Sequence, residues 1–266
     1  MLDEKTAVIE NHPVAEGFYQ LRLAAPVIAA RAEPGQFASL RVNGQVAPLL
    51  RIPLSFSAVD PQRGTIDLLY EARGPKSHLL SQVQPQQILS CLGPLGRGFS
   101  QPRAGQQLVL VGGGIGLPPL LHLGAALPQG HPLVLLAGAR NAAKHLPLAL
   151  LQASVPQVRL ATDDGSLGHH GLVTELLAEE LAKAPDSMVC ACGPHGMMAA
   201  VAGLCRQQGV RCEVSLEEYM ACGFGVCVGC VVEAADEGGA GPYARFRRVC
   251  VDGPVFDALQ VRWEEG

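Results

Sequence analysis

Four cysteines near the C-terminus carry the most chemistry in this sequence. Cys222, Cys227 and Cys230 stand in the run Cys222-Gly223-Phe224-Gly225-Val226-Cys227-Val228-Gly229-Cys230, a C-x4-C-x2-C spacing, and Cys250 follows twenty residues later. This is the plant-type ligand pattern of a 2Fe–2S cluster. Two irons and two sulfides form a flat rhomb that needs four thiolates, two per iron. A loop wraps that rhomb only if its backbone turns tightly and aims amides at the sulfurs. Gly223, Gly225 and Gly229 permit such turns, because glycine reaches positive φ without a Cβ clash. The competing readings are a zinc site, a disulfide pair or buried free thiols. Zinc sites favour two C-x2-C pairs, and the second pair is missing. A cluster moves one electron at a time, so the pattern points to electron transfer.

Two glycine turns come earlier. Val109-Leu110-Val111-Gly112-Gly113-Gly114-Ile115-Gly116-Leu117-Pro118-Pro119 reads as a strand, a turn and a helix start. Glycines let a backbone approach a pyrophosphate, and the helix start supplies free amides. Proline costs little there, because its amide would be unpaired anyway. The run is not the strict G-x-G-x-x-G fingerprint, and a plain tight βα turn is the alternative. Cys192-Gly193-Pro194 ends another apolar run, at the edge where open α/β sheets bind ligands. Together the two turns predict a dinucleotide cleft. Nearer the N-terminus, Arg51-Ile52-Pro53-Leu54-Ser55-Phe56-Ser57 places a planar cation four residues before a hydroxyl. Such a fork suits phosphate, although a surface ion pair is the plain alternative for Arg51.

The elements that must position these groups fall into three parts. Apolar runs at 6–10, 17–23, 36–42, 54–59 and 65–71, with turn residues between them, predict a small antiparallel β-barrel over residues 1–100. A helix at 76–83 closes it. Residues 99–105 read as a linker. Over 106–216, runs at 107–111, 133–137, 158–161, 188–191 and 212–216 alternate with helical stretches at 118–126, 147–153, 172–183 and 197–207. That rhythm predicts a doubly wound parallel α/β sheet. Residues 217–266 read as the cluster loop followed by a hairpin, 228–233 against 243–251, with its tip at 236–242.

Composition agrees with a two-domain chain of 266 residues with filled cores: 48% of residues are hydrophobic, and mean hydropathy is +0.21. A net charge of −4 gives no reason to expect nucleic acid as a partner. The N-terminal residues lack the basic and apolar regions of a signal peptide, and no apolar run is long enough to span a membrane. A cytoplasmic protein is expected. Nine cysteines in such a chain read as thiols or metal ligands. Of Cys91, Cys190, Cys192, Cys205 and Cys212, most then read as small buried apolar residues.

The order of parts resembles the ferredoxin–NADP reductase superfamily: Arg-x-x-Leu-Ser, Gly-Gly-Gly-Ile-Gly-x-Pro-Pro, Cys-Gly-Pro, then C-x4-C-x2-C…C. Within it the whole chain is similar to the electron-transfer subunits of NAD-dependent, class B dihydroorotate dehydrogenases. The phrase Glu217-Glu218-Tyr219-Met220-Ala221-Cys222-Gly223 is the most specific part. Leu68-Leu69-Tyr70, Gly93-Pro94-Leu95-Gly96 and Thr162-Asp163-Asp164-Gly165-Ser166 also match.

The resemblance implies FAD on the barrel, NAD on the α/β domain and an FMN-containing catalytic partner, two copies of each chain forming a heterotetramer. It implies that Arg51, Ile52, Pro53 and Leu54 meet the FAD pyrophosphate and ribityl chain, and that Leu68, Leu69 and Tyr70 lie along the flavin. Ser55 would sit near the reactive flavin edge. Cys192, with Gly193 and Pro194, would sit near the nicotinamide, and Gly112, Gly113, Gly114 and Gly116 near the dinucleotide phosphates. The residues after Gly74 would contact the flavin diphosphate. There the family shows Gly-x-Gly-Thr and this chain has Gly74-Pro75-Lys76-Ser77: Ser77 replaces the threonine hydroxyl, and Lys76 either clashes or adds a cation. The implied electron path runs from dihydroorotate through the partner's FMN, the 2Fe–2S cluster and FAD to NAD⁺, with no general acid or base in this chain. By charge alone, Asp163 and Asp164 would disfavour a 2′-phosphate and favour NAD over NADP; a solvated turn with Asp164-Gly165 is the equal alternative. Subunits of a sulfhydrogenase or of an NADH-dependent ferredoxin:NADP oxidoreductase resemble the same architecture, and a non-enzymatic cluster or zinc scaffold leaves the two upstream sites unexplained.

Overall fold

The computed structural model describes residues 1–42, 49–235 and 243–263. Six antiparallel strands close a barrel: β1 (Leu2–Ala15), β2 (Phe18–Ala24), β3 (Phe37–Arg41), β4 (Ile52–Asp60), β5 (Thr65–Glu71) and β6 (Ile88–Leu95), in the order β1-β2-β5-β4-β3-β6. Alternation fills its inside with Leu21, Leu23, Leu40, Phe56, Ile66 and Leu68, all fully buried. Each such side chain contributes roughly 1.5–3 kcal/mol on leaving water. The short helices α1 (Pro26–Ala29) and α2 (Pro75–Ser81) flank the barrel. The sequence reading has five of these strands and lacks β6. Gly93 and Pro94 interrupt that run, yet it pairs with both β1 and β3 and so closes the barrel.

The second unit holds β7 (Leu108–Gly113), β8 (Leu133–Ala139), β9 (Val158–Thr162), β10 (His169–His170), β11 (Met188–Cys192) and β12 (Arg211–Ser215). The helices α3 (Leu117–Ala126), α4 (Leu148–Gln152), α5 (Val173–Lys183) and α6 (His195–Gln208) connect them. The first six strands of the order β10-β9-β8-β7-β11-β12-β15 are parallel. Both faces are covered. Val109, Val111, Val189 and Ala191 pack with α5 and α6, whereas Leu108, Leu110, Met188 and Cys190 pack with α3 and α4. Strands buried on both faces read as continuous apolar runs rather than alternating ones.

The C-terminal part is not a separate body. A hairpin of β13 (Val231–Glu233) and β14 (Phe246–Arg248) is shorter than the sequence suggests. The chain turns at once into a short helix, α7 (Val249–Asp252), where the Asp252 carboxylate accepts the Arg248 amide at 2.8 Å. The expected hairpin tip, 236–242, lies outside the described residues. Then β15 (Val255–Asp257) pairs antiparallel with β12 as the edge of the α/β sheet. Phe37 and Leu95 of the barrel, Val214 of the sheet and Cys230, Val249 and Cys250 of the tail share one core. The linker is pinned too: Phe99 donates to the Pro34 carbonyl and Ser100 to Glu213. Among the described residues no helix is long and apolar enough to cross a membrane.

Candidate functional site

A cleft of about 310 Å3 opens where the barrel, the α/β sheet and the tail meet. Ile52, Pro53, Leu54 and Ser55 of β4 form one wall, and Phe37, which pairs with Ser55, adds its ring. Leu69, Tyr70 and Glu71 of β5 continue it towards Arg73 and Ser77. Ile115 and Pro118 face them from the first glycine turn. Leu216, Glu217, Glu218, Met220 and Pro254 close the far side. A mostly apolar slot with a few polar groups suits a planar heterocycle. Glu71 is held at the rim by Arg73, 2.5 Å away, and by Lys144 at 3.7 Å. A larger recess, about 840 Å3, lies between α6 and residues 258–263 and contains none of the motif residues.

The flavin-side residues divide. Ile52, Pro53, Leu54, Ser55, Leu69, Tyr70 and Ser77 line the cleft. Tyr70 stacks on Tyr19, 5.5 Å between centroids, and donates to Asn11; burial pushes its pKa upward. Leu68 does not line the cleft: its position in the alternation turns it into the barrel interior. Nor does Arg51. Its guanidinium folds over the barrel rim, donating to the Ser90 carbonyl and hydroxyl at 3.0 and 2.8 Å, to the Ser39 carbonyl and to Asp3. The Lys76 ammonium donates to the Arg51 carbonyl at 3.1 Å, so Lys76 fastens the strand start without a clash. The Ser77 hydroxyl accepts from the Arg73 and Gly74 amides, both at 3.0 Å. Arg73, which the sequence reading passes over, is the exposed cation in the cleft lining.

The two glycine turns lie against each other. A Cβ on Gly113 would stand 2.7 Å from Met197 Sδ and 2.9 Å from Pro194; one on Gly116 would strike the Cys192 carbonyl; one on Gly193 would come within 2.9 Å of the Gly113 amide. A Cβ on Gly112 would strike Leu117. Most of these glycines therefore serve the contact between turns. Gly114 differs: its φ is +55°, and nothing lies within 4 Å of a Cβ built there. It leaves an open cradle at the end of β7. Cys192 is buried, and desolvation pushes its thiol well up. Its Sγ lies 3.9 Å from Glu217 Oε1. Burial raises the Glu217 pKa, with the Arg73 charge opposing. Motif reading does not assign Glu217 a role; the signal was the parallel register, Cys192 beside Ser215, which brings residue 217 next to the turn.

The four cysteines come together as two pairs. Cys222 Sγ accepts the Phe224 and Cys227 amides, each at 3.5 Å. Burial opposes ionisation, but these amides and the Cys227 thiol bring Cys222 down to about 6. Cys250 donates its amide to Cys230 Sγ at 3.4 Å, and burial beside the Cys230 thiol pushes Cys250 up to about 12. Among the described residues, no three His, Cys, Asp or Glu side chains converge on the point a single ion would occupy. Two thiol pairs match a rhomb that spreads its ligands over two irons. Gly223 and Gly225 take positive φ, +79° and +90°. The third turn falls on Val228, at φ +56°, rather than on Gly229. A β-branched residue there is strained, and such strain clusters at functional sites. Cys230 and Cys250 are buried, whereas Cys227 and its neighbour Val226 are exposed.

Comparison with known proteins decides the family. Residues 217–262 match the iron-sulfur cluster binding domain of dihydroorotate dehydrogenase B, and residues 110–203 match the oxidoreductase NAD-binding domain. The chain is 36% identical to the electron transfer subunit of dihydroorotate dehydrogenase B (NAD(+)) of Desulforamulus reducens, covering 97% of each chain. It is 37% identical to that of Geobacillus thermodenitrificans, over 97% of this chain and 98% of the relative. The chain belongs to this family. Among solved structures, an NADH-dependent reduced ferredoxin–NADP oxidoreductase superposes with a TM-score of 0.83 at 27% identity, over 97% of this chain and 90% of that one. A ferredoxin–NADP⁺ reductase from Neisseria gonorrhoeae, with bound FAD and NADP, shares the fold at a TM-score of 0.62 and 16% identity, over 78% and 92%.

Proposed function

We propose that this chain carries electrons between NAD and a partner subunit that oxidises dihydroorotate, in pyrimidine synthesis. One observation carries the reading: the cleft wall and the cluster loop are a single stretch of chain. Leu216, Glu217, Glu218 and Met220 line the cleft, and Cys222 opens the ligand set two residues later. When bound, NAD exchanges electron pairs as hydride, an iron–sulfur cluster takes single electrons, and FAD deals in both.

The chain's own residues hold and orient these groups. Ile52–Ser55, Leu69, Tyr70 and Phe37 form a slot for the flavin ring, with Ser55 at its edge. Arg73, Ser77 and the Lys76-fastened strand start serve the phosphate end. Arg51 and Leu68 support that wall from behind. Gly114 leaves room for the phosphates of NAD; Gly113, Gly116, Gly193 and Pro194 keep the two turns packed, and Gly112 lets Leu117 and Leu120 of α3 close on β7; Cys192 and Glu217 mark the nicotinamide end. Cys222, Cys227, Cys230 and Cys250 hold the cluster. Residues 1–100, 106–216 and 217–266 thus act as FAD, NAD and cluster parts of one relay.

The partner is an FMN-containing catalytic subunit, with two copies of each chain in a cytoplasmic heterotetramer. Its docking face is the cluster end, where Phe224, Val226 and Tyr219 are exposed. Exposed apolar side chains grouped in this way mark interaction surfaces. The test is co-expression with a candidate catalytic subunit, followed by iron and flavin analysis and a dihydroorotate:NAD⁺ assay. NAD⁺ reduction that requires both chains, bound flavin and iron is expected. Undiminished NAD⁺ reduction by a complex lacking iron would overturn the reading. The 27% identical ferredoxin–NADP oxidoreductase supports a second reading, and turnover with reduced ferredoxin but not with the dihydroorotate-oxidising subunit would favour it.

A further inference from the structure

We infer that Arg248 is a positioning residue for the iron–sulfur cluster: it ties the ligand-bearing segments together and places a fixed positive charge beside them. The inference rests on the cluster assignment made above. Arg248 ends β14, two residues before Cys250, and pairs in register with Val231, the residue after Cys230. Its Nη1 donates to the Gly225 carbonyl at 3.2 Å, in the middle of the loop between Cys222 and Cys227. Its amide and Nε both reach Asp252 Oδ2, at 2.8 and 3.4 Å, at the far end of the helix that carries Cys250. Through its backbone and its side chain, this one residue therefore joins the outer loop, the hairpin beside Cys230 and the helix of Cys250.

Gly225 shows how close this clamp sits. At φ +90° its Cβ position lies 3.1 Å from Val251 and 3.4 Å from Arg248 Nη1, so the loop is seated directly on the guanidinium and α7. The contact also holds two loops whose burial differs. Cys230 and Cys250 are packed in the core, whereas Cys227 is exposed. In the exposed half, the Arg248 hydrogen bond to the Gly225 carbonyl adds to the contact that Gly225 makes with Val251. Cluster potentials respond to net charge and to hydrogen bonds around the sulfurs. A guanidinium at this place stabilises the reduced, more negative cluster. Its side chain is 42% exposed and that of Asp252 is 30% exposed, so solvent and salt weaken the effect without removing it.

The charge and the clamp separate experimentally. The full chain is reconstituted with iron and sulfide, its reduction followed by EPR-monitored titration, and iron release timed with a ferrous chelator. R248Q removes the charge. The oxidised-to-reduced ratio at a fixed potential should rise about three- to tenfold, at about 59 mV per tenfold for one electron. Iron release should be several-fold faster. R248K keeps the charge but not the fork that spans Gly225 and Asp252, so the potential stays near wild type while release remains fast. D252N removes a negative charge, so the ratio should move the opposite way. Wild-type potential and wild-type release in R248Q would overturn the proposal, as would R248Q and D252N shifting the potential in the same direction. A wild-type chain that takes up no iron would refute the cluster assignment instead, which keeps the two failures apart.

Discussion

The imidazole of His122 meets the ring of Phe56 edge-on, with centroids 6.3 Å apart and an interplanar angle of 83°. His122 lies on α3 of the α/β domain and Phe56 on β4, one residue after Ser55, so this pair joins the two domains beside the cleft. Burial lowers the His122 pKa to about 4, and its Nδ1 has no partner. The native state therefore binds this proton less readily than the unfolded chain, whose value is 6.5. The His122 contribution is complete above pH 6.5 and is lost as pH falls towards about 4. The gap corresponds to at most about 3 kcal/mol. H122L should flatten the urea-unfolding free energy over that window, and an unchanged slope would show that other groups set the acid response.

The glycine turns should separate folding from binding. Alanine at Gly116 drives a methyl into the Cys192 carbonyl, and such overpacking costs about 1–3 kcal/mol or more. Alanine at Gly114 meets open space and bears only its left-handed backbone, about 1–2 kcal/mol. G116A should therefore lose more thermal stability. G114A should remain folded yet show a KM for NADH raised several-fold, because its methyl enters the cradle. Equal KM values for G114A and wild type in a dye-reduction assay would place the phosphates elsewhere.

Cluster loss should uncouple the chain without stopping it. C227S removes a ligand on the exposed side of the loop, away from the cleft walls. NADH-dependent reduction of a flavin-reactive dye should persist within about twofold. Electron exchange with the catalytic subunit should fall by at least about tenfold, a loss of roughly 1.4 kcal/mol or more in the coupled step. Stopped-flow traces of the complex supply both numbers.

Cofactor preference should depend on Asp163 rather than Asp164. The Asp164 carboxylate is used locally, accepting the Ser166 amide and hydroxyl at 2.9 and 2.6 Å. Asp163 is exposed at the end of β9 and free to repel a 2′-phosphate. D163A should narrow the NADH-over-NADPH ratio of kcat/KM about three- to tenfold. D164A should loosen the turn and shift both cofactors alike.

Much of this was legible in one dimension because the signals are local. The run from Cys222 to Cys230 states its ligand spacing, and the apolar runs ending at Gly112 and Cys192 announce βα turns, since strands buried on both faces need no alternation. Other residues could not be read this way. Arg51 has the right chemistry for a phosphate, but its direction depends on where Asp3 and Ser90 lie, residues brought alongside only when β6 closes the barrel. Leu68 and Leu69 are identical in type, and only the pleat assigns one to the core and the other to the cleft.

The sequence by itself determined the cysteine ligand pattern and the two glycine turns, through residue types and spacings, and its resemblance to a known family implied the cofactors. The tertiary structure decided how those chemistries connect. Pairing of β15 with β12 carries the tail back to the α/β sheet, and packing of Phe37 and Leu95 around Cys230 and Cys250 seats it on the barrel. Those contacts join residues far apart along the chain, and the free energy of burying their shared apolar surface, rather than any local propensity, holds Cys222 next to the cleft.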